Sequence, residues 1–174
     1  MALARRELLA LGGVAAVAAA TGALVGMLRW RSTSGRTALL ESPFHDLDGR
    51  PKRLADFPSP LLLCNFWATW CAPCRQEVPL LIAAKRDFSS NGLEIAGIGI
   101  DRADKLQKFS KEYGINYPVL TATQDVTELL RALGDREAAL PYSVLLDRER
   151  RIAYRKLGVW TKHELEREIR AAIG

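Results

Sequence analysis

Two cysteines separated by two residues stand between an apolar run, Leu61 to Phe66, and a helical-looking run, Arg75 to Phe88. The stretch reads Asn65-Phe66-Trp67-Ala68-Thr69-Trp70-Cys71-Ala72-Pro73-Cys74. The pair therefore sits where a strand hands over to a helix. The first backbone N–H groups of a helix lack intrahelical partners and stabilise a sulfur anion placed there. A thiol attacks a disulfide only as thiolate, and Cys-x-x-Cys pairs at helix N-termini have the first thiol lowered to about 3.5–7.5. Cys71 is the expected nucleophile. Cys74 shares its helical face and can resolve a mixed disulfide by attacking Cys71. Pro73 suits a first helical turn, where its missing N–H would be unpaired anyway.

Other readings of the pair are weaker. Zinc needs two further ligands, and Cys64, His45 and His163 are not paired at ligand spacing. A structural disulfide across so small a loop constrains little chain. Three cysteines make no disulfide framework. The leftover, Cys64, lies inside the apolar run as a small buried hydrophobe.

The chain has 174 residues, 48% apolar and 26% charged, enough for one domain with a real core plus a short appendage. The net charge of +5 comes from scattered basic residues, with no stripe interleaved with aromatics. A solvated surface is expected rather than a nucleic-acid site. Residues Leu8 to Leu28 form an uncharged run of about 21 residues, long enough to span a bilayer. Arg5 and Arg6 precede it and Arg29, Arg31 and Arg36 follow it, so flanking charge leaves its orientation open. Arg5-Arg6 before an apolar segment also resembles a twin-arginine export signal. Cleavage after Ala18-Ala19-Ala20 would leave an apolar tail, which favours retention as an anchor. Residues 1–31 are expected to be a membrane anchor or export signal, 32–42 a polar tether, and 43–174 the globular domain.

Along that domain, Asp48-Gly49 between short apolar stretches signals an N-terminal hairpin. Leu61 to Phe66 reads as a central strand and Arg75 to Phe88 as a helix kinked at Pro79 and ended by Asn91-Gly92. Leu93 to Ile100 is a second strand, Asp101 to Tyr113 a helix stopped by Gly114, and Tyr117 to Leu120 a short strand. A short helix, Asp125 to Leu133, is capped by Asp125 and Gly134. Tyr142 to Leu146 and Arg151 to Lys156 form a second hairpin, and a Thr161/Glu164 capping box opens the last helix. This order predicts an α/β fold, a mixed sheet with helices on both faces.

The run Trp67-Ala68-Thr69-Trp70-Cys71-Ala72-Pro73-Cys74, continued by Arg75-Gln76-Glu77-Val78-Pro79, resembles the thioredoxin superfamily. It is most similar to the exported, membrane-anchored TlpA-like and DsbE-like reductases of cytochrome biogenesis. The resemblance covers about Ser42 to the C-terminus. It implies a thioredoxin-like α/β/α fold with a central βα insert between Leu93 and Leu120. It makes Leu140-Pro141 the cis-proline loop, with Pro141 facing the Cys71/Cys74 redox disulfide and Leu140 beside it. It makes Glu77 the acid that tunes the cysteines or moves a proton, and Trp70, with Pro73, part of the substrate-facing rim. Trp67 is expected in the core. Cytosolic thioredoxins carry a buried Asp at the place of Asn65; Asn cannot titrate, so proton handling passes to Glu77 or water. Glu137-Ala138-Ala139-Leu140 and the turn Asp147-Arg148-Glu149-Arg150 both depart from the family in lacking glycine.

The favoured function is an extracytoplasmic disulfide reductase. Its substrates would be oxidised apocytochrome c or a copper-site protein, and its electrons would come from a membrane thiol donor. No cofactor or metal is expected. Spacing alone leaves the direction of electron flow open, since such motifs differ by roughly 150 mV. Two alternatives belong to other classes: a copper-binding oxidase assembly factor, which needs a late histidine such as His163, and a thiol peroxidase, which needs one peroxidatic cysteine.

Overall fold

The computed structural model describes residues 35–122 and 125–173. A helix over 35–41, α1, leads into strand β1 (Phe44–Asp46), which turns back through Gly49 as β2 (Pro51–Lys52). Then follow β3 (Leu61–Trp67), α2 (Ala72–Phe88), β4 (Leu93–Gly99), α3 (Ala103–Tyr113) and β5 (Val119–Ala122). A short α4 (Thr127–Ala132), the hairpin β6 (Tyr142–Leu146) and β7 (Ile152–Leu157), and α5 (Lys162–Ile173) complete the domain. The expected extra βα unit is β4–α3, leading into β5.

The sheet order is β2-β1-β5-β4-β3-β6-β7. Strands β3, β4 and β5 run parallel, and β1, β6 and β7 pair antiparallel to their neighbours, so the sheet is mixed as expected. Strand β3 is central and buried along its whole length, which explains its almost unbroken apolar run. Alternation along it splits the core in two. Leu61, Leu63 and Trp67 face α2, α3 and α5, while Leu62, Cys64 and Phe66 face α1 and α4. Edge strand β7 instead alternates half-buried and exposed residues, as a strand wet on one face should.

The tether expected over 32–42 is corrected: residues 35–41 are helical, and Leu39 is fully buried in the second core layer. A Cβ added at Gly35 would stand 2.3 Å from the Ala132 carbonyl oxygen, so α1 approaches α4 more closely than a side chain allows. The polar composition hides one leucine that supplies the docking energy. Leu39→Ala should cost about 2–5 kcal/mol, read as a lower denaturant midpoint; an unchanged midpoint would show that α1 contributes nothing to the domain.

Other boundaries move slightly. Helix α2 is a single 17-residue element with Pro79 inside it, on its exposed side. Strand β5 begins two residues later than expected. Asp125 lies one residue ahead of the α4 N-cap, but its carboxylate still accepts from the Thr127 N–H at 2.9 Å. Only half of the capping box forms: the Glu164 N–H donates to Thr161 Oγ1, while the Glu164 carboxylate turns to Lys156. In the turn after β6, Arg150 takes the left-handed conformation (φ 58°) that a glycine would adopt freely, and its guanidinium donates to the Phe57 carbonyl. The anchor expected over 1–31 lies outside the described residues. Among those described, no helix is long and apolar enough to cross a membrane.

Candidate active site

Strand β3 ends at Trp67, the chain turns through Ala68–Trp70, and Cys71 becomes the N-cap of α2. Its sulfur accepts the Cys74 N–H at 3.3 Å, the bond expected of an N-cap side chain. Pro73 occupies the first helical turn. Cys71 and Cys74 are joined as a disulfide. Cys71 keeps 6% of its surface exposed and Cys74 only 1%, so the first sulfur is the one a partner can reach.

The surroundings divide into a wet side and a dry side. Trp70 projects into solvent, 69% exposed. Beside it a groove of about 500 Å³ runs past Cys71 and Pro73 to Leu130 and Ala138–Leu140. The Leu140–Pro141 peptide is cis, as the resemblance implied. Pro141 is buried, and Leu140 lines the groove. Ala138 adopts a φ of 50°, the conformation suited to the missing glycine. Trp67, by contrast, is buried beneath the pair against Phe109. It fits because β4 carries a glycine beside the ring: a Cβ at Gly97, which pairs with Asn65, would lie 3.1 Å from the indole nitrogen.

On the dry side, Glu77 stands one turn along α2 from Cys74 and is 1% exposed, so it is no solvated helix glutamate. Its Oε2 accepts from Asn65 Nδ2 at 2.9 Å and its Oε1 from the Trp160 backbone N–H at 2.9 Å. Asn65 Nδ2 also donates to Ser143 Oγ at 3.0 Å. Burial pushes the Glu77 carboxyl up to about 7, against the opposing pull of the Trp160 N–H, Asn65 and the Lys156 charge. Burial together with the Glu77 charge also pushes the Tyr117 phenol up. The sequence reading paired Asn65 with Glu77 in function but missed Ser143 and the Trp160 amide. Ser143 had a readable signal, being a polar residue inside a buried strand; a backbone N–H has none.

Cys64 is buried on the opposite face of β3, where burial pushes its thiol up to about 12 despite the Arg150 charge. It is inert as a nucleophile. His163 is exposed on α5 and does not line the groove. Among the described residues, no three His, Cys, Asp or Glu side chains gather as a metal site.

A family model described as the AhpC/TSA family matches residues 37–155. The chain belongs to the AhpC/TSA family. It is 32% identical over 122 residues to the thiol-disulfide oxidoreductase ResA of Bacillus thuringiensis subsp. konkukian, covering 70% of this chain and 68% of that protein. It is 29% identical over 125 residues to ResA of Geobacillus thermodenitrificans, covering 71% and 70%. The crystal structure of a thiol:disulfide interchange protein of the thioredoxin family from Chlorobium tepidum superposes with a TM-score of 0.64 at 29% identity, over 76% of this chain and 95% of that one. These relatives agree with the site: the chain is a thiol–disulfide oxidoreductase of thioredoxin-like fold, similar to ResA.

Proposed function

We propose that this oxidoreductase works as a disulfide reductase outside the cytoplasm, held to the membrane by the apolar run Leu8–Leu28. The observation that carries the reading is the graded pair at the start of α2, an accessible Cys71 in front of a buried Cys74 with a buried carboxyl one turn behind. In the reduced protein the Cys71 thiolate attacks a substrate disulfide. A Cys71–substrate bond forms, the substrate bond breaks, and its leaving sulfur takes a proton. The Cys74 thiol gives its proton to Glu77 and attacks Cys71, which expels the second substrate sulfur as a thiolate; that thiolate takes the proton back from Glu77 and leaves as a thiol. The protein is left with the Cys71–Cys74 disulfide, and two electrons have passed to the substrate. A membrane dithiol donor restores the pair.

The groove beside Trp70, Pro73 and Leu140 supports an extended peptide as substrate, with Ala138–Leu140 ahead of the cis Pro141 as its far wall. The substrate class we favour is exported protein with vicinal cysteines, apocytochrome c or a copper-site protein. The export-like N-terminal segment and the resemblance of the run from Trp67 to Pro79 to the reductases of cytochrome biogenesis support this choice. Trapping tests it. In cells, a Cys74→Ala variant should accumulate mixed disulfides whose partners are exported proteins with paired cysteines, and its reduction potential before substitution should lie below that of glutathione. Capture of cytosolic proteins alone, or a potential above glutathione, would contradict the reading.

A further inference from the structure

Strands β3 and β6 pair so that Asn65 lies directly opposite Ser143, and both side chains point toward α2. Both are buried, as is Glu77. The three form a chain in which one amide nitrogen serves two acceptors, Glu77 Oε2 and Ser143 Oγ. An ionised carboxylate only accepts, so it requires the NH2 end of Asn65. A protonated Glu77 could instead donate to the amide oxygen if the amide turned over. A neutral carboxyl can still accept through its carbonyl oxygen, but the turned-over amide is met only by the neutral form, so the amide orientation is coupled to the protonation of Glu77.

Ser143 biases that choice. With its hydroxyl present, both hydrogens of the inward NH2 are satisfied. Without it, one hydrogen would be buried with no acceptor, which is costly, whereas an amide oxygen with a single partner is tolerated more readily. The hydroxyl therefore favours the orientation in which the amide donates to Glu77, a bond that is stronger when Glu77 is charged. We propose that Ser143 is a positioning residue that, through the Asn65 amide, controls the protonation of Glu77. The consequence for turnover rests on the reading of Glu77 as the proton-handling group; the link between the three residues does not.

The other groups that face Glu77 are the Trp160 N–H ahead of α5, Lys156 on β7 with its partner Glu164 on α5, Tyr117 ahead of β5, and Cys74 on its own helix. Lys156 lies directly opposite Ser143 across β6 and β7, but the hydroxyl's partner is Asn65, so a route through Lys156 is separated from one through the amide by removing Asn65.

Carbon-13 NMR of the glutamate carboxyls, followed over pH in the full chain, reads the Glu77 midpoint; the resonance is identified by its loss in Glu77→Gln. Ser143→Ala should raise that midpoint by about one pH unit. Ser143→Thr, which keeps a hydroxyl, should restore it, and Ser143→Val set against Ser143→Thr gives the same comparison at equal shape if alanine does not fold. Asn65→Ala should raise the midpoint at least as far, and adding Ser143→Ala to it should change nothing more. An unmoved midpoint in Ser143→Ala and Ser143→Val, or a shift that persists in full without Asn65, overturns the proposal. If the midpoint moves while the pH profile of disulfide reduction does not, the Ser143 link stands and the proton-handling role of Glu77 falls.

Discussion

Cys71→Ser removes turnover of protein disulfides, by at least roughly a thousandfold in rate, because no other sulfur can replace the lost thiolate. Cys74 is 1% exposed and cannot meet a substrate; Cys64 is buried on the other face of the sheet, its thiol held up at about 12. Cys74→Ser behaves differently. It retains the first attack, forms the mixed disulfide and stalls there, so a stopped assay shows one equivalent of substrate bound and no release. Single-turnover kinetics with a disulfide peptide distinguish the two variants. Equal residual rates would mean that exposure does not order the two sulfurs.

The second large effect is on stability. Glu77 has a carboxyl at about 7 in the folded protein against 4.5 for an unperturbed glutamate. The folded state binds this proton more tightly than the unfolded one. Its contribution is therefore fully present below the unfolded value and is lost as pH rises through the folded value. The loss should amount to about 3 kcal/mol between the two limits. The carboxylates of Asp46, Asp101, Asp147 and Glu164 are all held below their ordinary values by the hydrogen bonds and charges around them, so their contributions fade only at more acidic pH. The interval from about pH 5 to about pH 8 thus reports Glu77 nearly alone. Denaturant midpoints of the oxidised protein should fall across it, and Glu77→Gln should flatten the slope. A slope unchanged in Glu77→Gln would place the titrating group elsewhere.

Much of this site could be read from the chain because its signals are local. The strand-to-helix handover, the Cys71/Cys74 spacing and the Pro73 first-turn position all lie within one stretch. The sheet was legible for a related reason, since full burial of β3 and half burial of β7 leave different apolar patterns. What escaped depends on distant pairing or on single residues. The hydrogen bonds that satisfy the buried Glu77 come from the Trp160 amide and from Asn65, which are 83 and 12 residues away. The role of Ser143 arises only from the β3–β6 register. The helix over 35–41 reads as a tether because Ala38-Leu39-Leu40 is too short an apolar run between polar residues to show a period. Arg150 and Ala138 take the left-handed conformation that a glycine would adopt freely, and neither residue type signals it in the chain.

The central claim is that Cys71, at the N-terminus of α2, is the sulfur that ionises and attacks. Alkylation of the reduced protein with iodoacetamide over a pH series, mapped by mass spectrometry, measures it most directly. The expected result is modification confined to Cys71, with its rate already half-maximal below about pH 7.5. Modification of Cys74 at a comparable rate, or a Cys71 midpoint at the ordinary thiol value near 8.5, would contradict it.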